Sequence, residues 1–184
     1  MTRTIPTVSE PAGGAVRLRL LYVAVAAGIA LFDQITKALV AARIPLHGTV
    51  NVIPGFFDLT YLRNPGAAFS LFADGAGSGR SILLTGTTVV VLCGVLVYAF
   101  RTSARDLVLQ TALALISGGA AGNLVDRLRV GSVTDFLRFY AGTHEWPSFN
   151  VADSAITVGV ALLAWDLFRR PDHEKAGSTG RAAA

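Results

Sequence analysis

From Ser81 to Phe100 the chain carries no charged side chain, and Arg80 and Arg101 close the run at either end. About 20 apolar residues in a helix span the hydrocarbon core of a bilayer. Backbone amides and carbonyls find no water at that depth, so such a run must be a helix that satisfies them internally. This one stretch restricts the chain to membrane architectures, and its neighbours repeat the pattern. Apolar runs predict transmembrane helices at about 18–42, 81–100, 107–125 and 151–168. Composition agrees: of 184 residues, 52% are hydrophobic and 15% charged, against about 25% charged in an average soluble domain. The expected fold class is an all-α membrane protein, one integral membrane domain over 1–184.

Ala24-Val25-Ala26 resembles a small-residue cleavage site, but the apolar pattern continues through Phe32 and resumes to Ala42. An uncleaved first helix fits better than a signal peptide. Four helices bring both termini to one side. Arg3, Arg17, Arg19, Arg101, Arg105, Arg169 and Arg170 fall there, which the positive-inside rule makes cytoplasmic. The net charge of +4 is therefore read as topology rather than as nucleic-acid binding, since the arginines are scattered. Residues 1–16 and 171–184 read as flexible cytoplasmic tails. Cys93 reads as a buried, inert thiol. His47, His144 and His173 are isolated and have no metal-ligand spacing, so no metal is expected.

Charges beside bilayer-length apolar runs are costly and usually face a protein interior or a water-filled cavity. They concentrate at one boundary. Asp33 and Lys37, four apart, share a helix face in the favourable order, roughly 20 Å along the first helix. Either they snorkel into the interface or they face the interior. Asp126, Asp135 and Asp153 flank the turn between helices three and four, with Asn123, Arg127 and Asn150 among them. Two carboxylates that meet cannot both ionise easily, and such a pair suits acid–base hydrolysis of a peptide bond. The bland alternative is that each aspartate caps a helix or pairs with an arginine. Asp126 and Arg127 are adjacent and so do not face each other; Asp126 reads as structural and Arg127 as a cation near the site. Asn64, Asn123 and Asn150 offer amides to backbone groups or a substrate carbonyl. Tyr61, Tyr140 and Trp146 read first as interface aromatics. A Ser–Lys mechanism would need Lys37 neutral beside Ser70 or Ser154, which Asp33 opposes.

Residues 43–80 form a long connection. Phe57, Leu59 and Tyr61 alternate as in a strand, Ala67–Phe72 reads as a short apolar piece on the membrane surface, and Asp74–Gly79 as a turn. Gly118 and Gly122 have the spacing of close helix contact.

Five blocks resemble the lipoprotein signal peptidases, or signal peptidase II, in that family's order: DQITK at 33–37, RNPGAAFSLF at 63–72, GGAAGNLVDR at 118–127, VTDF at 133–136 and FNVADSAI at 149–156. The resemblance implies an aspartic endopeptidase of the bacterial cytoplasmic membrane. It would cut the signal peptide from a diacylglyceryl-modified prolipoprotein just before the lipidated cysteine, with no cofactor. By motif, Asp135 and Asp153 would be catalytic and Asp126 structural. Asp33, Lys37, Asn64, Gly119, Asn123, Arg127 and Asn150 would shape the substrate site. The resemblance also implies a small extracytoplasmic β-cradle and a surface helix, placed at 43–80, membrane lipid around the protein, and the peptide antibiotic globomycin as inhibitor. The alternative from another class is a small proton-coupled transporter subunit using Asp33, Lys37 and Asp135 as a relay.

Overall fold

The computed structural model describes residues 12–66 and 78–169. Four helices, α1 (Ala12–Arg43), α2 (Ser78–Arg101), α3 (Leu107–Val130) and α4 (Val151–Arg169), are each long and apolar enough to cross a membrane. The connections between α1 and α2 and between α3 and α4 supply strands β1 (Thr49–Ile53), β2 (Phe57–Asn64), β3 (Val133–Ala141) and β4 (His144–Glu145), which pair in that order, all antiparallel. The sheet therefore sits at the end of the bundle where α1 and α3 finish and α2 and α4 begin.

Helix α3 is the centre. Two thirds of its apolar window is buried, against 6% for α1 and for α2. Small residues make this possible. A Cβ on Gly118 would lie 2.6 Å from the Ala26 carbonyl oxygen, and one on Gly122 2.7 Å from Asp33 Oδ2, so this face of α3 closes on α1. The next residue round, Gly119, faces α4, where a Cβ would strike the Ala152 carbonyl. Gly159 of α4 returns the contact against Ile116 and the Ala112 carbonyl. Close backbone approach of this kind is how helices gain van der Waals contact where burial from water offers no drive. The outward faces are apolar side chains such as Leu31, Ile82 and Val90, all more than 60% exposed and therefore lipid-facing.

At the other end of the bundle, Arg19 of α1 donates to the carbonyls of Ala99, Phe100 and Thr102. A cation at a helix C-terminus both satisfies unpaired carbonyls and complements the dipole. Gln110 of α3 donates to Ala99 and Ser103 in the same cluster.

Several expectations need correction. The helix over 18–42 begins at Ala12, so 12–16 is helical rather than tail, and the second helix begins at Ser78, three residues before Ser81. The third helix runs past 125 to Val130, where Gly131 ends it in the left-handed region (φ 71°) and donates to the Arg127 carbonyl. Asp126 and Arg127 are thus helical residues. Half of the sheet comes from 133–145, not from 43–80 alone. Tyr61 is buried with Val40, Ile44 and Phe136 under the sheet rather than lying in the interface; Trp146 is exposed. Cys93 is exposed and faces lipid, in contrast to the buried thiol expected from its apolar run. The surface piece Ala67–Phe72, most of the turn at 74–79, and the tails 1–11 and 170–184 lie outside the described residues.

Candidate active site

Strand β3 is where the two halves of the sheet and the bundle meet. Gly131 turns the chain out of α3, and the first four residues of β3, Val133 to Phe136, are all buried. Asp126 fixes the start of the strand: its Oδ2 accepts from the Thr134 amide at 2.8 Å and its Oδ1 from Gln34 at 2.9 Å. Asp135 follows, paired with Leu62 on β2. Asn64 pairs with Val133, so it lies diagonal to Asp135 on the same face, within reach of a long side chain. It donates to Asp135 Oδ2 at 2.9 Å. Its own oxygen accepts from the Gly66 amide at 2.8 Å, which fixes the amide the right way round.

Asn150 brings in the second carboxylate. Backbone bonds between Phe149 and both Phe136 and Leu137 hold the segment before α4 against β3. Asn150 caps α4: its Oδ1 accepts from the Asp153 amide at 2.9 Å, while Asp153 Oδ2 accepts from the Asn150 amide at 3.3 Å. This reciprocal pair is a capping box. With its oxygen so engaged, Asn150 turns its nitrogen to Asp135 Oδ1 at 2.8 Å. One wholly buried asparagine therefore caps the helix carrying Asp153 and clamps Asp135. The helix-capping alternative for Asp153 is realised together with its place beside Asp135.

A second asparagine is oriented by a charge. Lys37 has three donors and three acceptors: Asp33 Oδ2 at 2.8 Å, Asp126 Oδ2 at 3.1 Å and Asn123 Oδ1 at 3.0 Å. The lysine holds the oxygen of Asn123, so the nitrogen points away and donates to Asp153 Oδ1 at 2.7 Å. Asp33, with no solvent exposure, accepts on its other oxygen from the Ala152 amide at 2.9 Å. It thereby caps α4 from a different helix, and carboxylates are favoured at that end. Burial decides between the two readings of Asp33 and Lys37: the pair is interior, not snorkelling.

The residues predicted from sequence thus converge. Asn64 and Asn150 hold Asp135, Asn123 and Asn150 hold Asp153, and Asp33, Lys37 and Asp126 form the ionic layer beneath. Arg127 is half-buried, and the charges it feels are those of Asp153, Asp135 and Asp126, in that order. Gly119 lies in the α3–α4 seam rather than against the carboxylates. Missed from sequence were Gln34, which donates to Asp126 and to the Gly122 carbonyl, and the amides of Thr134 and Ala152, which have no side-chain signature. Lys37 is committed to two carboxylates, and Ser154 donates to the Asn150 carbonyl. Ser154 and Lys37 form no nucleophile–base pair, and Ser70 lies outside the described residues. Among the described residues and apart from Asp166, the buried carboxylates and lysine, Asp33, Lys37, Asp58, Asp126 and Asp135, gather at the sheet end of the bundle, with the partly buried Asp153 beside them. That distribution gives a transport relay no path.

Burial raises the Asp135 carboxyl from the ordinary 3.8 to about 6; the donated bonds of Asn64 and Asn150 and the charge of Lys37 oppose the rise, and the charge of Asp153 adds to it. A carboxyl so placed can hold or release a proton near neutrality.

The family described as Signal peptidase (SPase) II matches residues 25–169. Relatives named lipoprotein signal peptidase include one from Geobacter sulfurreducens, 49% identical over 150 residues, covering 81% of this chain and 92% of the relative. Another, from Syntrophus aciditrophicus, is 42% identical over 151 residues, covering 82% and 94%. Two solved bacterial membrane enzymes share the fold. The 1.9 Å structure is 34% identical, with a TM-score of 0.72 and coverage of 82% of this chain and 94% of that one. The 2.3 Å structure is 29% identical, with a TM-score of 0.71 and coverage of 89% and 93%.

Proposed function

The chain belongs to the signal peptidase II family, a family of peptidases, and on that premise we propose that it is an aspartic endopeptidase that removes signal peptides from diacylglyceryl-modified prolipoproteins. It is a multi-pass bacterial membrane protein. In this reading both termini are cytoplasmic and the sheet end lies at the outer face of the cytoplasmic membrane, as the arginine distribution supports.

Asp135 and Asp153 share the chemistry. The ionised member takes a proton from water, which attacks the scissile carbonyl; the protonated member donates to the carbonyl oxygen and later helps the amine depart. The observation that carries this assignment is Asn150, which bonds Asp135 Oδ1 while capping the helix that begins with Asp153. Asn64 and Asn123 keep the outer carboxylate oxygens in place, so little reorganisation is needed when charge moves. Arg127 supplies a nearby positive charge for substrate carbonyls. The diacylglyceryl group would stay in the bilayer, at about 0.8 kcal/mol per buried CH₂, and hold the adjacent peptide bond at the depth of the pair.

The test is cleavage by the purified full chain of a prolipoprotein peptide with and without the diacylglyceryl group. Cleavage of the lipidated form before its cysteine, blocked by globomycin, is expected. Equal cleavage of both forms, or none of either, contradicts the substrate assignment.

A further inference from the structure

A second site follows the opposite side of α3 from α4. Between α1 and α2, a groove of about 230 Å³ is floored by Ala26, Ala27 and Ala30 of α1 and by Gly118 and Ala121 of α3, with Leu92 of α2 as a wall. Its lining is almost wholly apolar, and it lies at bilayer depth. Toward the sheet end, a cavity of about 300 Å³ opens on the same two helices, α1 and α3, and its rim carries Arg63 of β2 and Arg129 of α3. The two spaces lie on one line. Tyr22, Ala26 and Ala30 border the groove and Gln34, Lys37 and Ala41 the cavity. These positions step by three or four and so share one face of α1.

The charges in the cavity are unequal in availability. Lys37 is engaged by Asp33, Asp126 and Asn123. Asp126 also lines the wall, but its oxygens accept from Gln34, Lys37 and the Thr134 amide. Arg63 donates to the Tyr61 hydroxyl, at 3.1 and 2.8 Å. Among the described residues neither Arg63 nor Arg129 has a carboxylate partner. Two guanidinium groups with unused donors, above an apolar groove, match a phosphate carrying an acyl chain.

We propose that this seam holds an anionic phospholipid, its headgroup phosphate between Arg63 and Arg129 and one acyl chain in the groove between α1 and α2. Length agrees. From Ala26 to Ala41 is roughly 22 Å at 1.5 Å per residue, and one leaflet with its headgroups is roughly 20 Å thick. The bound lipid completes the open side of α3 that α1 and α2 leave between them. It lies apart from the carboxylate pair, and the inference stands whether or not the peptidase assignment does.

Native mass spectrometry of the purified full chain, titrated with dioleoylphosphatidylglycerol or dioleoylphosphatidylcholine, tests it. The anionic lipid is expected to bind one per chain and about tenfold more tightly than the zwitterionic one. Arg63→Gln with Arg129→Gln should erase that preference, and Ala27→Leu, which fills the groove, should weaken both lipids. If the double variant does not fold, Arg129→Gln alone, on an exposed side chain, is expected to lose about threefold. Equal binding of the two lipids, or an unchanged preference in the variants, overturns the proposal. So does inorganic phosphate binding as tightly as the lipid, which marks a free-anion site. Displacement of the lipid by a lipidated substrate peptide also overturns it, since the groove would then belong to the substrate.

Discussion

Three asparagines orient the two carboxylates of the site. Each amide of Asn64, Asn123 and Asn150 has its oxygen occupied, by the Gly66 amide, by Lys37 and by the Asp153 amide respectively. Each nitrogen is left to face a carboxylate. Asn150→Asp removes the donor from Asp135 and adds a third carboxyl group beside the pair, so cleavage is expected to fall by about 100-fold or more while the cap itself survives. An Asn150→Asp enzyme within threefold of wild type would show that the clamp is dispensable.

Protonation belongs to the same scale. Asp135 sits at about 6, up from 3.8. A carboxyl raised on folding binds its proton more tightly in the folded state, so its contribution is favourable below pH 3.8 and is lost as pH rises toward 6. At about 1.4 kcal/mol per pH unit, roughly 3 kcal/mol is forgone at neutral pH. The activity profile should fall as pH rises through about 6, above which the pair loses its protonated member while Asp153 is already ionised; the limb belongs to the pair rather than to one residue. In Asp153→Asn, loss of the neighbouring charge should move the Asp135 titration downward, read by infrared absorption of the labelled carboxyl. An unmoved titration would mean the two groups do not interact.

Lys37 sets the cost of the ionic layer. Lys37→Met leaves Asp33 and Asp126 buried without their cation, and breaking such a cluster costs about 3–5 kcal/mol. The unfolding midpoint in detergent should fall sharply. A midpoint within about 2 °C of wild type would show that the lysine does not hold the layer together.

At the scale of elements, the glycines of α3 divide its surface between α1 and α4. Gly119→Ala puts a methyl group against the Ala152 carbonyl, beside the helix start that carries Asp153. It is expected to lower both the unfolding midpoint and cleavage, the latter by roughly tenfold, since small displacements of a catalytic group are expensive. Gly94→Ala has nothing within 4 Å of the new methyl group and should be neutral or stabilising by up to about 1 kcal/mol. Equal effects from the two substitutions would count against the seam.

The helices are legible in the sequence because lipid-facing runs announce themselves by composition alone. Their ends are less so. Asp126, Arg127 and Arg129 look like a loop and end the predicted third helix at 125, yet they sit on its last turns, where Asp126 is buried, Arg127 half-buried and Arg129 exposed. Strand β3 escapes notice for a related reason. Val133, Thr134, Asp135 and Phe136 are buried on both faces, so the alternation that exposes β2 is absent. The strand is recognisable only from its partner β2 and from Phe149. The site residues emerge from the motif blocks and from charge placement. Which amide serves which carboxylate depends on contacts between residues as far apart as Lys37 and Asn123, and no local pattern encodes those.

The whole molecule is a bundle whose two ends do different work. Arg19 ties α1 to the end of α2 on one side, and the sheet seals the carboxylate layer on the other. A fluorescent protein fused after residue 184 should fluoresce in cells and an alkaline phosphatase fusion there should be inactive; the reverse pattern would invert the assigned orientation.

In the proposed mechanism Asp135 and Asp153 act as one catalytic pair. Asp135→Asn and Asp153→Asn should be purified, checked for an unfolding midpoint no lower than that of Lys37→Met, and assayed for cleavage of a diacylglyceryl-modified peptide. Both are predicted to lose about 1,000-fold or more in rate, with lipidated substrate still bound. Cleavage within tenfold of wild type by either variant would contradict the pair.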